Sequence, residues 1–535
     1  MSGPVRETSA MAYDSISPDE LAAMVNDAGR TGMQPAVWAR LQPDRIAVYD
    51  YAGQTRTFGE LNANANRLAR RLREAGLQPN EGVALACSNR VEFCEALLAA
   101  LRTGLRLTPV NWHLTAEEIA YIVSDCEAKA LLADVRIAPA ARFAAEACPN
   151  ATLRLAIGGE IEGFEPYDAA LVGVDGSDIE DPARGHTMLY TSGTTGRPKG
   201  VYKPDLIYGA FLPEADREGD LYLCTGPAYH AAPLAGNVRT PLMNGLPIVL
   251  LDKWDSEGVL RTIEERRITH SHFVPIMFQR LLALPEETRA RYGLSSLKRI
   301  THGAAPCPPE IKKAMIDWLG PVLFEYYAGS EGGAGFTITS EEWLKRPGTV
   351  GRMPDPGAAR IVGEDGEDCP RGVAGTIYMR TPPTGFQYFK DPKKTAASRI
   401  GEYFTLGDIG YIDEDGYLFL TGRSAETIIA GGVNIYPQEI DNELIKHPAV
   451  EDSCTIGVPH DEWGEEVRAV IQLKPGYKAS DALRSEILAF AVERLAKFKI
   501  PRGLDFVAEL PRSQAGKILR GRVREPYWRG RARQI

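Results

Sequence analysis

The sequence predicts an α/β fold in two domains. The first, residues 1–424, is a large domain of helix-covered βαβ sheets that includes a small β-barrel-like subdomain. The second, residues 425–535, is a small α+β domain. Three observations lead there. At 535 residues the chain exceeds what one hydrophobic core supports. Capped amphipathic helices alternate with short apolar strand runs through the first third. Beyond residue 345 Gly and Pro recur between β-type runs, and past about residue 425 a new succession of strands and a helix begins.

Thr57-x-x-Glu60 is a capping box, and Leu61, Ala65, Leu68 and Leu72 share one face of the helix it opens, which Gly76 stops. Gly82–Ser88 reads as a buried strand. A helix over Val91–Arg102 ends at Gly104, and Leu107–Asn111 follows as a strand. Thr115-x-x-Glu118 caps the next helix before a strand at Lys129–Asp134. The same rhythm returns with strand Leu246–Asp252, helix Ser256–Arg267 and strand Ile268–Pro275. Residues 345–424 supply the barrel-like part. Strands Ser453–Val458 and Val467–Leu473 and helix Asp481–Leu495 belong to the last domain.

An apolar fraction of 44% and a charged fraction of 25% are those of a globular protein. The net charge of −10 argues against nucleic acid as a general partner. No apolar run reaches the length of a membrane span, and the first thirty residues read as neither secretory nor mitochondrial leader, so a cytoplasmic location is expected. The eight cysteines (87, 94, 126, 148, 224, 307, 369 and 454) form no metal-type pair and read as reduced core residues.

Residues 190–200 carry the most chemistry: Tyr-Thr-Ser-Gly-Thr-Thr-Gly-Arg-Pro-Lys-Gly. Hydroxyls at Thr191, Ser192, Thr194 and Thr195 alternate with Gly193, Gly196 and Gly200, and Arg197 and Lys199 close the run. Glycines let successive amides turn inward into a nest for anionic oxygens, hydroxyls add donors, and the cations balance phosphate charge. Lys199 is followed by glycine, not Ser/Thr, which disfavours a P-loop ATPase or kinase.

That run resembles the signature of the adenylate-forming superfamily, which includes acyl-CoA synthetases, peptide-synthetase adenylation domains and beetle luciferases. Further segments are similar, in the family's order. They are Tyr327-Ala-Gly-Ser-Glu331, Thr405-Leu-Gly-Asp408 with Gly422-Arg423, Gly431-Gly-Val-Asn-Ile-Tyr-Pro-Gln-Glu-Ile440, and Pro511-Arg-Ser-Gln-Ala-Gly-Lys517. The resemblance covers roughly residues 35–525.

The resemblance implies an acid–CoA ligase: ATP, Mg²⁺ and a carboxylic acid give an acyl-AMP, and coenzyme A then gives the thioester. Thr191–Lys199 would hold the β- and γ-phosphates, and Glu331 would ligate Mg²⁺. Ser330 stands where the family prefers threonine. Tyr327 would stack on adenine opposite Gly303, Ala304 and Ala305. Asp408 would accept the ribose hydroxyls, and Arg423 would reach ribose or phosphate. Lys517 would be the catalytic cation at the α-phosphorus, and His230 a gate beside the acyl carboxylate. Gly431, Gly432 and Asn434 would line the pantetheine tunnel once a mobile C-terminal lid has rotated.

The hinge position carries Ala425 where the family has Asp or Lys, so a polar latch is lost there. Both half-reactions are still expected. The eight cations against one acid over 512–533 would attract CoA phosphates or form a solvated tail. The acyl pocket should involve His230, Leu234, Asn237, Val274, Met277, Gly303–Pro306 and Ala328–Gly335. Its small side chains suggest a bulky acid, fatty or polycyclic. Alanines beside His230 argue against an amino-acid substrate. The alternatives are an enzyme that loads a carrier-protein thiol, a luciferase-like oxygenase, and a non-catalytic adenylate-binding protein. Oligomeric state, including a homodimer, is left open.

Overall fold

The computed structural model describes residues 16–191, 198–333, 335–381, 385–423, 426–430, 433–460, 463–513 and 516–529; the Asn434 side chain is outside this set. The described residues form two compact units. One lies within Met1–His272, Ala290–Ile300 and Pro383–Lys393, and the other within Phe273–Arg289, Thr301–Pro382 and Lys394–Ile535.

The first unit is built on a six-stranded, all-parallel sheet. Its order is Glu165–Pro166, Leu153–Ile157, Ala128–Asp134, Gly82–Ala86, Arg106–Pro109 and His186–Thr187. Parallel neighbours need crossovers, and the helices Val91–Arg102, Ala116–Asp125 and Ala138–Ala147 lie between these strands in sequence, with helix Phe58–Glu74 leading into the first of them. The expected capping boxes are present: Thr57 accepts from the Glu60 amide, and Thr115 from that of Glu118. Helix Phe58–Glu74 buries Leu61, Ala65, Leu68 and Leu72 on one face. Helix Val91–Arg102 is buried along its whole length, which suits its nearly continuous apolar sequence.

A second sheet in this unit pairs Ile46–Tyr49 with Thr55–Thr57 and with Ile248–Leu250; the latter runs parallel to Tyr222–Cys224. A third is a small antiparallel sheet of Leu189–Thr191, Lys199–Tyr202 and Gln387–Tyr388. Helices Pro18–Gly29 and Gln34–Leu41, which periodicity did not announce, pack Val25, Val37 and Trp38 into the main core.

The second unit carries an antiparallel run of Leu323–Tyr327, Phe336–Thr339, Thr349–Arg352, Tyr417–Arg423, Tyr403–Ile412, Gly375–Arg380 and Ala359–Val362. Its C-terminal part is a five-stranded sheet led by the long hairpin Val450–His460 and Gly464–Leu473. Helices Pro437–Leu444 and Asp481–Val492 cover a core of Ile440, Leu444, Ile471 and Ile487. All eight cysteines are free; Cys307 and Cys369 are half-buried rather than buried core residues. No helix among the described residues is long and apolar enough to cross a membrane.

Candidate active site

In the first unit, Thr191 and Lys199 are cross-strand partners at the base of a hairpin. Ser192, Gly193, Thr194, Thr195, Gly196 and Arg197 between them lie outside the described residues. Lys199 Nζ sits 3.3 Å from Asp391 Oδ2, a carboxylate the sequence reading did not name. Nothing near Asp391 in the sequence marks it, because its role depends on the strand Gln387–Tyr388 pairing with Lys199–Tyr202.

His230 stands at the N-cap position of a helix that opens at Ala231, without a side-chain capping bond. Burial pushes its imidazole down to about 4, so the ring is neutral near pH 7. Its Nε2 is buried without a hydrogen-bond partner, as is the neighbouring Tyr229 hydroxyl, and the two rings lie 4.8 Å apart. Leu234 and Asn237, expected in the acyl pocket, are both buried, and Asn237 donates its amide to the Leu223 carbonyl.

The second unit brings four of the expected residues together. Asp408 and Arg423 are register partners on adjacent antiparallel strands, so their side chains share one face. Arg423 Nε lies 2.8 Å from Asp408 Oδ1, and the Tyr327 hydroxyl donates to Asp408 Oδ2 at 2.7 Å. The Tyr327 ring is buried edge-on to Phe336, its cross-strand partner.

Lys517 stands in the same electrostatic neighbourhood. Burial and then Arg423 lower its pKa, opposed by Glu426 and Asp408. Its loop closes on itself: Ser513 N–H donates to the Lys517 carbonyl at 2.7 Å, and Gly516 N–H to the Ser513 carbonyl at 2.8 Å. Arg512 donates to the Gly516 carbonyl and pairs with buried Asp452. Gly516 has φ +77°, and a Cβ there would fall 2.2 Å from Ile276 Cγ2. Arg520, one turn on, is buried between Glu426 (3.0 Å) and Asp441 (3.0 Å). The sequence reading missed both Glu426 and Arg520.

Gly303, Ala304 and Ala305 follow strand Arg299–His302. A Cβ at Gly303 would meet the Tyr326 ring at 2.8 Å, so only glycine admits that ring. Ala304 takes the left-handed region at φ +66°, a costly setting for a non-glycine residue. Behind this segment Lys312, with no exposed surface, meets Glu325 at 2.5 Å, and His302 Nε2 lies 3.8 Å from the same carboxylate. Ser330 and Glu331 sit in a turn held by reciprocal Gly329 and Gly332 backbone hydrogen bonds. No group of three or more His, Cys, Asp or Glu suited to a metal occurs among the described residues. Gly431, Gly432, Ala334, Ala425 and the Asn434 side chain lie outside them.

Comparison with known proteins places the chain among acid-activating ligases. The profile of the AMP-binding enzyme family matches residues 36–389, and that of the AMP-binding enzyme C-terminal domain matches 439–517. The chain is 33% identical over 487 residues to a 2-succinylbenzoate–CoA ligase of Geobacillus kaustophilus, covering 90% of this chain and 95% of the relative. It is 29% identical over 501 residues to the fatty acid–[acyl-carrier-protein] ligase ScoC of Streptomyces coeruleorubidus, covering 90% and 94%. Among solved structures it is similar to ATP-bound MatB from Rhodopseudomonas palustris. There the TM-score is 0.79 and the identity 30%, across 93% of this chain and 99% of that one.

Proposed function

The chain belongs to the AMP-binding enzyme family, within the adenylate-forming superfamily, and from that premise we propose that it is an ATP-dependent acid–CoA ligase acting on a bulky carboxylic acid, fatty or polycyclic. One observation carries the reading: Lys517, a half-buried cation with a lowered pKa, shares its electrostatic neighbourhood with the Tyr327–Asp408–Arg423 network. A thiol cannot readily displace oxide from a carboxylate. Conversion to an acyl-AMP supplies a stable phosphate monoester as leaving group.

In this reading the acid's carboxylate attacks the α-phosphorus and pyrophosphate departs. Lys517 neutralises charge that grows at that centre, where a partly dehydrated cation acts most strongly. Asp408 accepts from the ribose hydroxyls with the lone pairs that Tyr327 and Arg423 leave free. Thr191 and Lys199, with Ser192, Gly193, Thr194, Thr195 and Gly196, bind the outgoing phosphates, and Lys199 exchanges Asp391 for them. His230, neutral at working pH, is positioned at the acyl carboxylate.

The Glu331 carboxylate is a hard oxygen donor of the kind Mg²⁺ takes alongside phosphates and water, so this chain's residues fit that ion. Mg²⁺ would neutralise the phosphates there. The thiol of CoA then displaces AMP from the acyl-AMP, with Gly431, Gly432 and Asn434 lining its path.

The test is acid-dependent pyrophosphate exchange followed by thioester formation. Wild type should show both, and Lys517→Ala should lose most exchange; full-speed exchange in that variant would sink the reading. The similarity to an acyl-carrier-protein ligase favours one second reading, transfer to a carrier-protein thiol. Supplying free CoA and holo-carrier in parallel separates the two acceptors.

A further inference from the structure

The helix that follows His230 carries a cation that no carboxylate among the described residues pairs with. It runs as Ala231–Pro233, a π-helical Leu234–Arg239 and Thr240–Met243. It buries Pro233 and Leu234, then Asn237 and Val238, then Pro241 and Leu242. The pairs between them stay partly open: Ala231 with Ala232, Ala235 with Gly236, and Arg239 with Thr240. An α-helix of 3.6 residues per turn would drift off a four-residue repeat, and the wider π turn holds the open pairs in line. Every side chain on this open stripe is small until Arg239. Beside Gly236 there is empty space, with nothing within 4 Å of where a Cβ would stand.

Arg239 is held firmly but left unsatisfied. Its guanidinium lies 3.8 Å over the Tyr208 ring, and Nη1 donates to Thr187 Oγ1 at 3.1 Å. Tyr208 is fixed in turn, since its hydroxyl meets the Thr187 amide and hydroxyl, each at 3.1 Å. Arg239 Nε is buried with no acceptor, and no carboxylate among the described residues pairs with this side chain. Arg102 and Arg106, buried arginines of this unit that also lack a paired carboxylate among the described residues, each have at least two oxygen acceptors: Asn62 and Asn66 for Arg102, and the Asn80 and Cys126 carbonyls for Arg106. Arg239 has one hydroxyl. A partly buried cation with so little compensation is costly unless an anion completes it.

We propose that Arg239 binds a second anionic group of the acid substrate, a carboxylate at the end remote from the one that is activated. This deepens the function proposed above and rests on it, because it takes His230 as marking the reacting end. Nine residues of helix, most of them π-helical with a rise below the α-helical 1.5 Å, separate the two by at most about 13 Å along the axis. A short diacid cannot bridge that span, whereas a long-chain or polycyclic dicarboxylic acid can. The planar guanidinium fork suits a carboxylate, and the Tyr208 face beneath it keeps the fork from turning away.

The experiment measures acid-dependent pyrophosphate exchange with matched pairs of acids. Each pair is a long α,ω-dicarboxylic or polycyclic diacid and its monomethyl ester, given to wild type, Arg239→Met and Arg239→Lys. The diacid should exceed its monoester in kcat/KM by about 10- to 100-fold in wild type, mainly through KM. Arg239→Met should collapse that ratio towards one, and Arg239→Lys should restore part of it. Equal use of diacid and monoester by wild type would overturn the proposal and leave the ligase reading standing, and needs no variant to fold. A ratio that persists in Arg239→Met would also overturn it. Absence of exchange with every acid would overturn the ligase reading and this one together.

Discussion

The Tyr327 hydroxyl donates to Asp408 Oδ2 at 2.7 Å, between buried atoms carried by strands more than eighty residues apart in sequence. This bond makes Tyr327 a brace for the carboxylate as well as an aromatic wall. Since Arg423 already engages the other oxygen, Asp408 is oriented before any ligand arrives.

Tyr327→Phe keeps the ring and removes the brace. Losing a donor to a buried carboxylate costs about 1–3 kcal/mol, shared between folding stability and binding. The KM for ATP should therefore rise several-fold while the KM for the acid changes little. Initial rates at varied ATP and varied acid decide it; an unchanged KM for ATP would show that the bond does no work in binding.

Gly516→Ala tests the seat of Lys517. The backbone there is left-handed, and the added Cβ would fall on the Ile276 side chain. The strain of about 1–3 kcal/mol should displace the lysine loop and slow acyl-AMP formation, with a smaller effect on the melting temperature. Trimming the obstacle in Gly516→Ala/Ile276→Ala should recover part of the rate. Full activity in the single variant would separate the loop's seat from catalysis.

Glu426 should set the alkaline limit of adenylation. The Lys517 ammonium is held below its ordinary pKa by burial and by Arg423, and Glu426 partly offsets this. Exchange should fall as pH rises through that lowered value, because the protonated form is the working one. Glu426→Gln should move the fall to lower pH, and Lys517→Arg should flatten it. A pH–rate profile that Glu426→Gln leaves in place would refute the coupling.

Acid should weaken the first unit before it affects catalysis directly. His186, His230 and His272 are each pushed down to about 4, in every case chiefly by burial. An unfolded histidine titrates near 6.5, so between about 6.5 and 4 the unfolded chain binds more protons than the folded one. Stability is therefore lost as pH falls through that window. Melting temperature should drop across it, and His272→Asn should make the drop shallower. A melting temperature that is flat from pH 7 to 4.5 would contradict the burial of these rings.

The helices of the parallel sheet were legible because local signals agreed with packing. Thr57 and Glu60, or Thr115 and Glu118, are capping partners three residues apart, and the apolar period follows at once. The N-terminal helices escaped notice because their buried faces, Val25 or Val37 with Trp38, are short and interrupted by polar residues. Asp391, Glu426 and Arg520 carry no local mark. Each is an ordinary charged residue whose partner stands far along the chain.

By itself the sequence determined the family and the βαβ order, and it named the groups proposed here for phosphate and adenylate chemistry. Motif spacing and side-chain type are written locally, and they do not depend on how distant strands pair. Tertiary structure decided what state those groups are in: a lysine with a depressed pKa, a histidine kept neutral, an aspartate braced from two sides and an arginine that no carboxylate among the described residues pairs with. Charge and hydrogen bonding act through space, so burial and the arrival of remote strands set them. Register between strands, which no short stretch of chain encodes, chose the partners.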